Sequence, residues 1–268
     1  MYTGNIKTII RIYKQFFDVN NPDMRNKWHH VRHFQDEWNL DESDFAAMLT
    51  RSLPSSRNAS LLDNGSTYHP LANLKKMAGL EPERVRSLFR LLFDEAIDFD
   101  RDRVRFRRLI RQFQVGADQL YRALGLETAA GRLSDADDQA AMFLLTMRFP
   151  DRFCFYRPES FRRLYQHACV KFLGKSQTST DKLCLYLVLW QMIRHEIRQD
   201  EELLDMARQV LTAEDYADPS FSLLALDVID ALNRDNVKKM LGDPLRYHDP
   251  RSRLMPDQEN QLHLRLRF

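Results

Sequence analysis

Asn26 to Leu53 reads NKWHHVRHFQDEWNLDESDFAAMLTRSL and holds two of the chain's three tryptophans. Trp28, Val31, Phe34 and Trp38 recur at steps of three and four, the spacing of one helical face. Asn39-Leu40 breaks the pattern. Asp41 then offers a cap for a second helix, with Asp44 three residues on and Phe45, Met48 and Leu49 as its inner face. The reading is helix-turn-helix. Both tryptophans should be buried against Phe45, Leu49 and the first helix of the chain.

The same periodicity extends outward. Ile6, Ile9, Ile10, Tyr13, Phe16 and Phe17 form an apolar stripe opposite Lys7, Arg11 and Lys14. Pro82 stands near the first turn of another helix, where its missing N–H costs little, and Val85, Leu88, Phe89, Leu92 and Phe93 give that helix its buried face. A helix from about Phe99 to Phe113 follows, and Gln119–Leu124 reads as a separate short one. Gln139–Met147 and a stretch from Pro158 to about Phe172 are helical, as are Glu201–Leu211 and Ser220–Leu241. Asp181–Gln199, apolar nearly all round for two turns, is the expected central helix of the C-terminal half. Phe153–Tyr156 is the one short strand expected.

The fold class is therefore mainly α, a multi-helical domain with at most a small β element around 152–156. The strictly alternating tail at 262–268 offers that strand a partner. Expected divisions are an N-terminal helical subdomain (1–115), a C-terminal one (135–242) and a tail (243–268). Thr128-Ala129-Ala130-Gly131 lies in the connecting segment. Polar loops are expected over Pro54–His69 and Gly174–Thr180.

The chain has 268 residues, ample for a substantial core. Only 8 glycines occur, which disfavours folds rich in tight turns or glycine phosphate loops. Net charge is +2, so no global attraction to polyanions exists. Cys154, Cys169 and Cys184 form no CxxC and are an odd number in apolar settings, which suits buried, reduced thiols. Lys7, Arg11 and Lys14 interrupt any signal-like apolar run, and a soluble, cytoplasmic protein with no membrane association is expected.

Chemistry-bearing patterns are sparse. His29 and His33 lie four apart, as two ligands on one helix face would, but a ready third ligand is lacking beyond Glu37. Gly174-Lys175-Ser176 echoes the end of a P-loop, yet Cys169 occupies the place of the first glycine. Pro150-Asp151 precedes the expected strand without the Glu-x-Lys of a metal-dependent nuclease. No catalytic residue, metal site or cofactor is assigned.

The densest charge lies at Arg101–Arg111, six arginines in eleven residues. With Phe106, Leu109, Ile110 and Phe113 turned inward, Arg101, Arg105, Arg107, Arg108 and Arg111 are the candidate nucleic-acid contacts. Across Asp94–Arg111 six arginines meet five acids, net +1, so an ion-paired solvated face is the competing reading.

Three motifs carry a resemblance: Trp28-x-x-Val31-x-His33-Phe34-Gln35 with Asp44-Phe45-x-x-Met48-Leu49; Pro82-Glu83-x-Val85-Arg86-x-Leu88-Phe89; and Arg148–Tyr156, RFPDRFCFY. Together they resemble the N-terminal, non-motor region of McrB-type AAA+ restriction subunits and related bacterial defence proteins, over roughly residues 5–172. The resemblance implies a recognition or coupling module that serves an AAA+ motor or nuclease subunit. The chain shows no Walker A, Walker B or arginine-finger context, so it would be either an excised domain or a stand-alone relative that works with a separate motor. The expected function is a non-catalytic recognition or adapter module of a restriction-like or anti-phage system. It would bind DNA or RNA, or a partner protein. The rivals are a purely protein–protein adapter and a metal-dependent hydrolase using His29 and His33.

Overall fold

A computed structural model describes residues 3–53, 70–97, 99, 101–126, 138–168 and 179–242. The expected loop at 54–69, residues 174–178 of the loop expected at 174–180, the Thr128–Gly131 stretch, Cys169 and the alternating tail all lie outside the described residues, while Ser179 and Thr180 already belong to a helix. The protein is mainly α: the described residues form twelve α-helices, a short 3-10 turn at Pro22–Arg25, and no strand. No described helix is long and apolar enough to cross a membrane.

Two compact units divide the chain, and they interleave in sequence. The first comprises Met1–Met24, Tyr156–Val210 and Pro219–Phe268; the second comprises Arg25–Phe155 and Leu211–Asp218. The segment expected to separate subdomains, between 115 and 135, falls inside the second unit. Contiguous stretches of sequence are thus not the packing units, because a helix joins whichever apolar face complements its own.

In the first unit, α1 (Thr3–Gln15) packs on α8 (Pro158–Ala168), α9 (Ser179–Ile197), α11 (Ser222–Ala231) and α12 (Asp235–Leu241). α10 (Glu201–Val210) lies against α9. The apolar character of α9 has the expected consequence: Leu183, Tyr186, Leu187, Trp190 and Ile193 are all buried. The Trp190 indole N–H donates to the Ser222 carbonyl at 3.1 Å. Tyr13 donates to Asp227 Oδ2 at 2.6 Å inside the core, and burial followed by the Asp227 charge pushes its phenol well above the ordinary range. Ser220–Leu241, read as one helix, is two. Leu232–Arg234 interrupts it, Arg234 being extended at ψ 137° and Asn233 donating to Ser160 Oγ at 2.8 Å.

The second unit contains α2 (Asn26–Glu37), α3 (Phe45–Ser52), α4 (Pro70–Leu80), α5 (Pro82–Leu92), α6 (Arg103–Ala123) and α7 (Gln139–Arg148). An aromatic cluster holds it together. Phe89 is fully buried, with Trp38, Phe93, Phe45 and Phe113 at ring distances of 4.9, 5.4, 6.0 and 6.4 Å. Trp28 is buried as expected, whereas Trp38, the residue that ends α2, is half-buried among Phe34, Phe45, Phe89 and Phe93. Asp44, not Asp41, caps α3, accepting from the Ala47 amide at 2.9 Å. Asp41 instead pairs with Arg90 at 3.2 Å. The buried Arg86 explains that register: its guanidinium donates to the carbonyls of Leu40 and Glu42, which holds the turn open until Asp44.

Phe153–Tyr156 belongs to no helix or strand. All four side chains are buried, at 1%, 1%, 3% and 4% exposure, so the apolar run fills the core, and no strand among the described residues pairs with it. Cys154 and Cys184 are both buried.

Candidate nucleic-acid interface

The arginine-rich segment is one unbroken helix of 21 residues, not a helix ending near Phe113 followed by a short one. Asp102 starts it, accepting from the Arg105 amide at 2.8 Å. It continues through Gly116 because α5 presses close there. A Cβ at Gly116 would lie 2.6 Å from Leu88 Cδ2, so glycine serves helix–helix contact and not chain reversal. Phe106, Leu109, Ile110, Phe113, Gln114, Ala117, Leu120 and Tyr121 are buried along one side. The Gln114 side chain donates to Asp138 at 3.0 Å, which lets the polar amide sit in that face.

The opposite side is solvent-exposed, as the periodicity implies. Arg105, Arg107, Arg108 and Arg111 are exposed on α6, and Arg101 is exposed in the turn before it, so the five residues share a surface but not one helix. They differ in their surroundings. Arg105 donates to Asp94 Oδ2 at 2.7 Å. That carboxyl also accepts from the Ala96 amide, and this bond first, then Arg105, holds it below the usual carboxylate range. Arg108 and Arg111 have no carboxylate partner among the described residues. Farther along, Arg122 is tied to Asp118.

A cleft of about 410 Å³ opens beside the first turns of α6. Leu91, Val104 and Leu109 supply its aliphatic wall; Asp94, Asp102, Arg105, Arg108 and Gln112 supply its polar one. Val104 is 66% exposed, one of three large hydrophobic residues exposed among those described.

The histidines do not converge on a metal. His33 shares a hydrogen bond with the Arg51 carbonyl at 2.9 Å, and His29 Nδ1 faces Asp215 Oδ1 at 3.7 Å. No group of three potential ligands exists among the described residues.

The 211–218 segment was not legible as part of any site. It lies along α2: the Tyr216 amide donates to the Trp28 carbonyl at 3.2 Å, and the Trp28 indole donates to Asp218 at 3.2 Å. Tyr216 donates to Asp151 at 2.7 Å, and burial, then that carboxylate, raises its phenol above the ordinary range. Asp215 accepts twice from Thr212 at 2.9 Å. Asp218 sits at a left-handed φ of 48°, a conformation aspartate tolerates better than most residues. A short, aperiodic polar stretch gives no local signal of such docking.

Neither protein-family models, nor curated proteins, nor solved structures yield a match to this chain.

Proposed function

We propose that the chain is a non-catalytic recognition module that binds nucleic acid through the exposed face of α6. The observation that supports this most directly is the pair Arg108 and Arg111, solvent-facing and without a carboxylate partner among the described residues, on a helix whose Arg105 and Arg122 are ion-paired. An arginine fixed by its own acid gains little from a phosphate, whereas an unpaired one exchanges only water for it. Arg101 and Arg107 extend the same surface, and Arg105 stands beside Arg108 as the second guanidinium of the cleft. By its resemblance to restriction-subunit N-terminal regions, the module would direct a separate AAA+ motor or nuclease in a bacterial defence system. The cytoplasm is the compartment this role requires.

The test is the salt dependence of binding. Each phosphate contact releases counterions, so log K falls against log salt by about 0.9 per contact on duplex and about 0.7 on single strand. Arg108→Glu/Arg111→Glu should weaken binding and flatten that slope by roughly two contacts. A folded double variant with unchanged affinity and slope would overturn the proposal. It would leave the arginines as a solvated face and direct recognition to a protein partner.

A further inference from the structure

The cleft and the arginines are arranged around Val104. Successive helical residues turn by about 100°, so with Val104 as origin Arg108, Gln112, Arg105 and Leu109 follow at about 40°, 80°, 100° and 140°. These are the residues of the cleft wall. Arg111 and Arg107 lie on the other side, at about 20° and 60°. The exposed Val104 is thus a ridge between a row of guanidinium groups and a cavity.

A phosphate group would leave most of that cavity empty, since about 410 Å³ already falls within the small-ligand range of roughly 300–1,000 Å³. Phosphate also has no use for the aliphatic wall of Leu91, Val104 and Leu109, and it is repelled by Asp94 and Asp102. A nucleobase fits both. Its flat face is apolar, and its edge carries amino donors and ring acceptors. Each carboxylate offers about four acceptor positions. Asp94 uses some for the Ala96 amide and Arg105, and Asp102 uses one for the Arg105 amide, so capacity remains for an exocyclic amino group. In a duplex that face is stacked and that edge is paired; in a single strand both are available.

We infer that this site selects single-stranded over duplex nucleic acid, seating one unpaired, amino-bearing base in the cleft beside Val104 while Arg107 and Arg111 meet the adjoining phosphates. The inference rests on the nucleic-acid reading of α6.

The test uses the full chain and three fluorescent probes: oligo-dC of about twelve nucleotides, an abasic strand of equal length, and the same sequence as a duplex with oligo-dG. Oligo-dC should bind about tenfold more tightly than either of the others, the effect of one well-seated base. Val104→Asn, a neutral change at an exposed position, should bring oligo-dC down to the abasic level and leave duplex binding unchanged. Duplex or abasic binding as tight as oligo-dC would overturn the inference, as would a folded Val104→Asn variant that keeps the preference. If duplex still binds with a salt slope sensitive to Arg108→Glu/Arg111→Glu, the arginine-face reading survives that failure. If no probe binds, both fail.

Discussion

Replacing Phe89 by alanine tests the packing on which α6 is seated. The ring is 0% exposed and lies at the centre of Trp38, Phe45, Phe93 and Phe113. Those neighbours come from α3, α6 and the residues that end α2 and α5, so no single side-chain rotation can fill the space left behind. Phe→Ala in a core costs about 3–5 kcal/mol, and a site that collapses poorly belongs near the middle or top of that range. We expect about 4 kcal/mol. Phe89→Leu keeps most of the volume and loses the edge-on ring contacts, for about 1–2 kcal/mol. Urea denaturation followed by tryptophan fluorescence measures both. Trp28 and Trp38 belong to the second unit and Trp190 to the first, so a Trp190→Phe background makes the signal report on the second unit. Equal values of the urea slope in parent and variants make the midpoint shifts readable as stability. A loss below about 1.5 kcal/mol for Phe89→Ala would refute the reasoning, because it would mean that the ring is not enclosed as described.

Two further outcomes concern local features. Asp44→Ala removes the α3 cap and should cost about 1 kcal/mol, while Asp41→Ala should cost clearly less, its Arg90 pair being exposed; equal losses in thermal melts would restore Asp41 as the cap. Burial, reinforced by Arg163, lowers the proton affinity of the half-buried His167 in the folded state. The unfolded chain then binds the extra proton, so this contribution is intact above about pH 6.5 and is lost as pH falls through the lower folded value. His167→Gln should show a smaller decline of stability over that interval; an undiminished decline would count against the assignment.

The features legible from sequence are those whose cause lies within a turn or two of the chain. Helical spacing located α1, α2, α5 and α9, and Pro82 marked the start of α5 because its constraint is local. The same spacing separated the buried side of α6 from its arginines. It did not show that Gly116 continues the helix, since the reason is Leu88 on α5, 28 residues away in the chain. Nor did it distinguish Asp44 from Asp41, because Arg86 decides where α3 starts by binding the carbonyls of the preceding turn.

By itself, then, the sequence determined the mainly helical class, the inward faces and the arginine cluster, all set by residue type and period. Tertiary structure decided which arginines face solvent without a carboxylate partner among the described residues, where a cleft opens beside them, and that residues 211–218 join α2. Those outcomes depend on groups distant in the chain meeting at hydrogen-bond or van der Waals range, and no periodicity of a single segment encodes such a meeting.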